Sequence, residues 1–212
     1  MIFKDRQEAG RKLLLRLFED QEIIKNTENA VVVSLLRGGI IIGDIIAKGL
    51  EAKHLPLVVT KIPAPHNPEL ALGALCFDVT YLEKNVVNSL KLEKSGIVNQ
   101  IEVARKKFNS YLNRFRIKES LFSKNIKNKI VILTDDGIAT GSTVKVAVLF
   151  LKSNNPKSII LAVPVAPSDF HVKGIDKEIV LHKKFAFGAI SQFYGHFPQI
   201  EDELVKKILR SE

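Results

Sequence analysis

Apolar positions follow two different periods along the chain. Residues 30–36, 130–133 and 158–164 are short, nearly continuous apolar runs rich in valine and isoleucine. Runs of that length and composition read as strands buried on both faces of a parallel sheet. Residues 57–60 and the shorter 179–181 read the same way. Elsewhere the period is helical. In residues 3–19, Ala9, Leu13, Leu14 and Leu17 recur at helical spacing, with Asp5 and Glu8 at the N-terminal end. Arg6, Arg11 and Arg16 occupy the remaining positions, and Arg6 reads as a surface arginine. Ile101, Ala104, Phe108, Tyr111, Leu112 and Phe115 mark a stripe over residues 98–115, opposite a basic face with Arg105, Lys106, Lys107 and Arg114. Residues 40–52, 144–151 and 201–210 are the other helical segments. Strands alternating with helices predict an α/β fold: a mostly parallel central sheet flanked by helices.

Residues 62–68 hold three prolines and read as a rigid loop. Residues 70–77 and 78–82 read as short strands of a hairpin or flap. About 95 residues separate Arg37 from Asp135, more than a minimal crossover needs. The excess predicts an inserted helical or flap region, about 78–128, in a single domain of residues 1–212 with a small C-terminal segment, about 183–212.

Composition narrows the class. The 212 residues are 46% hydrophobic, enough for a substantial core. The net charge of +9 suits polyanionic small molecules, and nucleic acid or an acidic partner as well. Cys76 is the one cysteine; its apolar neighbours place it in the core rather than as a nucleophile, and a cytoplasmic location is expected. The first residues lack a signal-peptide pattern, and no apolar run reaches membrane-spanning length. Gly38 and Gly43 have Walker A spacing, but Asp44 and Ile45 stand where lysine and a hydroxyl residue belong. A dinucleotide fingerprint, a zinc cluster and a serine-hydrolase elbow are all missing from the sequence.

The chemistry concentrates in two strand-loop-helix units. After residues 130–133 come Thr134, the adjacent acids Asp135 and Asp136, and then Gly137, Ile138, Ala139, Thr140, Gly141, Ser142 and Thr143. Backbone N–H groups opening a helix bind phosphate, and the hydroxyls of Thr140, Ser142 and Thr143 add donors. The two carboxylates can accept hydrogen bonds from a diol or hold Mg²⁺ through water. A ribose 5-phosphate satisfies both halves. The second unit runs from residues 30–36 into Arg37, Gly38 and Gly39, where a guanidinium and two glycines can meet an anion closely. Lys61 closes the strand at residues 57–60, where it either meets a diphosphate or is simply solvated.

The stretch 130–143 resembles the phosphoribosyl-pyrophosphate signature of the type I phosphoribosyltransferases. The resemblance implies that Asp135 and Asp136 hold the ribose hydroxyls and that Ala139, Thr140, Gly141, Ser142 and Thr143 wrap the 5′-phosphate. It implies that Arg37, Gly38, Gly39 and Lys61 take the pyrophosphate, with Arg37 and Lys61 acting in catalysis. Mg²⁺ is the implied cofactor, bridged to Asp135 and Asp136 through water or ligand. The peptide before the basic residue is commonly cis in this family, which predicts a strained or cis Leu36–Arg37 bond. The family implies a loop closing over the pyrophosphate in the segment after the hairpin; a basic helix packed on a partner subunit is the other reading of residues 83–129. The aromatic tail at residues 185–198 offers Phe193 and Tyr194 as a hood over the base, or is a hydrophobic plug against the sheet edge. Two departures stand out. Gly137 replaces a commoner aliphatic residue, and Ala139 replaces the aspartate of relatives acting on 6-oxopurines, which points away from hypoxanthine and guanine.

The expected activity is transfer of the phosphoribosyl group of 5-phosphoribosyl 1-pyrophosphate to a base or other amine, as in nucleotide salvage, by a homodimer. A bacterial branch of the family shares the motifs here standing at residues 3–10, 67–71 and 192–194, without fixing the acceptor. The alternative is a non-catalytic sensor of the same ligand that binds RNA or DNA through its basic surface.

Overall fold

The computed structural model describes residues 2–65, 67–185 and 188–210. Its centre is a five-stranded sheet built from β1 (Ala30–Leu36), β2 (Lys53–Val58), β6 (Ile130–Thr134), β7 (Ser158–Pro167) and β8 (Lys177–Lys184). The spatial order is β2-β1-β6-β7-β8, and every neighbouring pair is parallel. The alternation of side chains splits the core in two. Val32, Ile130, Ile132, Ile160 and Ala162 face α1 (Arg6–Phe18) and α3 (Ile40–Leu50). Val31, Val33, Val131, Leu133, Ile159 and Leu161 face the opposite way, toward α7 (Ser142–Ser153) and the inserted elements. Burial on both sides is why the strands carry no polar alternation.

The proline-rich stretch is not a loop throughout. After Val59 the chain leaves the main sheet as β3 (Thr60–Ala64), which pairs antiparallel with β4 (Asn67–Cys76), and β4 with β5 (Val79–Leu82). Pro63 is accommodated because β3 is an edge strand whose register shifts on both sides of that residue. His66, within the expected loop, lies outside the described residues. Lys61 therefore sits inside a strand of this smaller sheet rather than at the end of a main-sheet strand. The inserted region continues through α4 (Lys84–Ser89), α5 (Lys94–Phe115) and α6 (Ser120–Ile126). Helix α5 begins four residues earlier than its apolar stripe and packs against β3 and β4. Cys76 is buried there, and burial pushes its thiol pKa well up.

The N-terminal segment closes the molecule. Asp5 caps α1 by accepting from the Glu8 amide. Just before it, Phe3 forms a parallel bridge with Tyr194, and the amides of Gly195 and His196 donate to the carbonyls of Phe3 and Lys4. The short helix α2 (Gln21–Ile24) leads into β1, and α8 (Asp202–Arg210) follows the C-terminal segment.

Helix α3 lies so near the sheet that a Cβ added at Gly43 would stand 2.5 Å from His54 Nε2 and 2.6 Å from Ser34 Cβ. Gly96, in the first turn of α5, meets nothing within 4 Å. Gly43→Ala is expected to lose about 1–3 kcal/mol in urea unfolding through overpacking. Gly96→Ala should gain roughly 0.5–1 kcal/mol through helix propensity.

Candidate active site

The strand order reverses direction at β1, whose neighbours are β2 on one side and β6 on the other. The crevice outside the carboxyl ends of such strands is where open α/β sheets bind ligands. Both sequence motifs emerge there. Strand β1 runs into Arg37, Gly38 and Gly39, and the Leu36–Arg37 peptide is cis. Strand β6 runs into Asp135 and Asp136.

The two loops touch. A Cβ at Gly38 would stand 2.2 Å from Asp136 Oδ2, and one at Gly39 would stand 2.9 Å from the Asp135 Cα. The glycines are therefore required by the acid pair as much as by any anion. Gly137 is crowded too, because a Cβ there would stand 2.7 Å from Val165 Cγ2 and 2.8 Å from Ile190 Cγ2. Those two side chains occupy the room that an aliphatic residue would need. Gly141 adopts φ +80°, a left-handed turn suited to glycine, and starts α7.

Arg6 is the residue whose placement departs furthest from the sequence reading. It is 6% exposed, not a surface arginine. Its Nε and Nη2 both lie 2.8 Å from Asp136 Oδ2, and its Nη1 donates to the Pro198 carbonyl at 2.8 Å. Its guanidinium carbon lies 3.6 Å from the centroid of the Phe197 ring. The Asp136 carbonyl accepts from the Tyr194 hydroxyl at 2.6 Å, and the Asp136 amide donates to Asp135 Oδ1 at 2.8 Å. A signal for Arg6 existed: it stands three, four and seven residues before Ala9, Gly10 and Leu13, all on the buried face of α1.

These elements enclose a cavity of about 580 Å³. Arg37, Gly38, Lys61, Asp135, Asp136, Ala139, Thr140, Gly141 and Thr143 all line it. Four expected residues do not. Gly39 lies behind the lining, against Leu35 and Asp135. Ser142 is buried and donates to Glu83 Oε1 at 2.9 Å. Lys145 meets the same oxygen at 2.8 Å; burial works against the Glu83 charge, but these partners keep its pKa below the usual value. Phe193 and Tyr194, expected as the base hood, are buried at 3% and 4% and do not line the cavity. The bridge to Phe3 draws them inward, and Tyr194 stacks on Phe197 and meets the Phe3 ring at a tilt. From the same C-terminal segment, Phe197, Pro198, Gln199 and Ile200 line the cavity instead. Ala186 and Phe187 of the aromatic tail lie outside the described residues. From the insertion, Lys107 and Tyr111 also reach the cavity.

Burial lifts both acids of the pair above the ordinary carboxylate pKa. Asp135 rises well above it, because the neighbouring Asp136 charge adds to burial, whereas the Arg6 guanidinium opposes the rise at Asp136. On the other side of the cavity, Arg37 Nη1 lies 3.1 Å from Asp202 Oδ1, and Arg114 pairs with the second oxygen of that carboxylate. These guanidiniums outweigh partial burial and lower the Asp202 pKa.

Comparison with known proteins agrees with this geometry. The family described as "Phosphoribosyl transferase domain" matches residues 83–189, half of the chain. Proteins of two Mycobacterium tuberculosis strains, CDC 1551 and H37Rv, carry provisional phosphoribosyl transferase names. Each is 33% identical over 217 aligned residues, covering 98% of this chain and 46% of its own length. The chain thus spans about half the length of those relatives. The crystal structure of TT1426 from Thermus thermophilus superposes with a TM-score of 0.73 at 26% identity, over 100% of this chain and 99% of that one. A Neisseria gonorrhoeae protein crystallised with ppGpp shares the fold, with a TM-score of 0.52 at 10% identity over 99% and 96% of the two chains.

Removing Arg6 strands a buried acid. Arg6→Met should lose roughly 3–5 kcal/mol of stability, and Arg6→Met with Asp136→Asn should lose less than Arg6→Met alone, in a double-mutant cycle followed by urea unfolding. A carboxyl raised on folding retains protons that the unfolded chain releases above about pH 3.9. Its contribution therefore falls as pH climbs from that value through the raised one. Asp135→Asn should leave stability unchanged near pH 4 and raise it near pH 8, by about 1.4 kcal/mol for each unit of the rise. A uniform loss at both pH values would refute that assignment.

Proposed function

Because the chain belongs to the phosphoribosyl transferase domain family, we propose that it transfers the phosphoribosyl group of 5-phosphoribosyl 1-pyrophosphate to a nitrogen of a base or another amine. The bond from C1 to the pyrophosphate oxygen breaks, a bond from C1 to the acceptor nitrogen forms, and the acceptor's proton leaves with the pyrophosphate or to solvent. The observation that carries this reading is the meeting of the Arg37–Gly39 loop and the acid pair at one end of adjacent strands, in a single cavity.

The chemistry sets three tasks for the protein. The phosphate end must be held while positive charge builds on the sugar ring. The amides opening α7, with the exposed Thr140 and the partly exposed Thr143, suit the 5′-phosphate. Asp135 and Asp136 suit the ribose hydroxyls, and their negative charge favours the cationic ring as C1 loses its leaving group. Arg37 and Lys61 suit the departing diphosphate, together with the backbone of Gly38.

Mg²⁺ fits this donor set in one manner. Among the described residues no group of three or more histidines, cysteines and acids gathers to hold a metal, and Asp136 is already paired with Arg6. That set suits an ion that takes most of its oxygens from diphosphate and water and meets Asp135 and Asp136 through water or ligand. Bound there, it would supply charge neutralisation of the leaving group.

The acceptor side is bounded by Phe197, Pro198, Gln199, Ile200 and Ile190. Gln199 brings an amide able to donate and to accept. Ala139 lines the same cavity and has no proton-accepting group, which disfavours hypoxanthine and guanine. The nucleic-acid alternative gains no support from α5, because Arg105 is bonded to the Phe77 carbonyl, Arg114 is paired with Asp202 and Lys107 faces the cavity. No described helix is long and apolar enough to cross a membrane.

A pyrophosphate-release screen across purine, pyrimidine and pyridine bases with Mg²⁺ tests the reading, and turnover with one of them is expected. Asp136→Asn should weaken binding of phosphoribosyl pyrophosphate at least tenfold, about 1.4 kcal/mol, by calorimetry. Unchanged binding would remove the acid pair from the site.

A further inference from the structure

The guanidinium that follows β1 already holds a carboxylate. Arg37 Nη1 lies 3.1 Å from Asp202 Oδ1, and the two side chains are only 21% and 24% exposed, so water screens the pair incompletely. Among the described residues, no other side chain bonds Arg37. Arg37 lines the cavity and Asp202 does not, although Gln199 and Ile200 just before it do. One terminal nitrogen of Arg37 is therefore committed to an acid that stands behind the cavity wall.

The acid is fixed more firmly than the guanidinium. Its second oxygen accepts from Arg114 of α5, and the contact to Arg37 is the longer of the two ion pairs. Asp202 also opens α8, and a helix N-terminus favours negative charge. Fully buried Val205 and packing against α3 seat that helix. Arg37 can therefore swing away without stranding a charge, because Arg114 and the helix N-terminus stay with Asp202. The reverse does not hold: once released, Arg37 needs another anion. A diphosphate, with more charge than one carboxylate, supplies it.

We propose that Asp202 is a latch on Arg37: in the empty site its carboxylate holds the guanidinium, and an anion that binds Arg37 must first displace it. This rests on the proposed function for the identity of the anion, and it adds to that reading a competitor built into α8. The apparent affinity for the anion is lowered by the fraction of molecules in which the latch is open. As pyrophosphate leaves, Asp202 is at hand to retake Arg37. A brace that aims Arg37 at the ligand would act with the opposite sign, since its removal would weaken binding. A negative field from Asp202 alone would act whether or not Arg37 is present.

The test is calorimetry with two probes, Mg²⁺-pyrophosphate and ribose 5-phosphate, on the full chain. Asp202→Asn should tighten pyrophosphate about threefold, the gain expected if the latch is closed in about two-thirds of molecules, and leave ribose 5-phosphate within about twofold. Asp202→Ser, which removes the charge and keeps a hydroxyl at the start of α8, should do the same. Arg37→Met should weaken pyrophosphate, and adding Asp202→Asn to it should bring no further gain. If wild type binds both probes and the two Asp202 variants bind pyrophosphate no more tightly, the latch is overturned while the proposed function stands. An equal gain in the Arg37→Met background, or a parallel gain for ribose 5-phosphate, would assign the effect to the field of Asp202 and also overturn the latch. Binding of ribose 5-phosphate alone by wild type would remove Arg37 from the anion site and the latch with it. If wild type binds neither probe, the proposed function itself fails.

Discussion

The pairing of Arg6 with Asp136 is the constraint around which the site is built. Two neighbouring carboxylates at the end of a fully buried strand are costly, since burial and mutual repulsion act in the same direction. Arg6 offsets that at one acid only, and it reaches there from a helix 130 positions away in sequence. The same guanidinium holds the Pro198 carbonyl and lies against Phe197. One side chain thus links the acid pair, the N-terminal helix and the cavity wall at Phe197 and Pro198. The unequal environment it creates leaves Asp135 the more strongly perturbed of the two.

The strands that carry the site were legible from the sequence because their burial is unambiguous. Residues 30–36, interrupted only by Ser34, and residues 130–133 are apolar on both faces, and their short length and β-branched content favour strand over helix. The residues following them were legible too, since adjacent acids and a hydroxyl-rich glycine loop have few structural uses. The small sheet was not. Prolines at 63, 65 and 68 suggest a loop, whereas an edge strand tolerates Pro63 because pairing on its other side carries the register. Arg6 was missed for a related reason. A charged side chain on an amphipathic helix is ordinarily solvated, and the acid that makes burial favourable lies far along the chain.

The aromatic segment shows why side-chain type alone cannot assign a wall. Phe193, Tyr194 and Phe197 are all aromatic, but backbone pairing with residues 2–4 fixes which of them turn inward. Phe193 and Tyr194 become packing, and Phe197 reaches the cavity. Ser142 follows the same logic. Its hydroxyl, three positions from Ala139 in the loop after the acid pair, goes to Glu83 just after β5, so the inserted sheet anchors the first turn of α7. Thr140 and Thr143 are the hydroxyl residues of that loop that line the cavity.

The bridge between Phe3 and Tyr194 also bears on how the protein is made. During synthesis Arg6 leaves the ribosome well before either of its partners, with Asp136 following 130 residues later and Pro198 192 residues later. Contacts of such separation form late because loop closure must precede them. The sheet can assemble as its strands emerge, and the guanidinium can meet Asp136 once β6 is out, but its Pro198 contact and the pairing of residues 2–4 with residues 193–196 must wait until residues 193–198 are free. A nascent chain halted before that point would carry the paired acids at the end of β6 without the wall that roofs them.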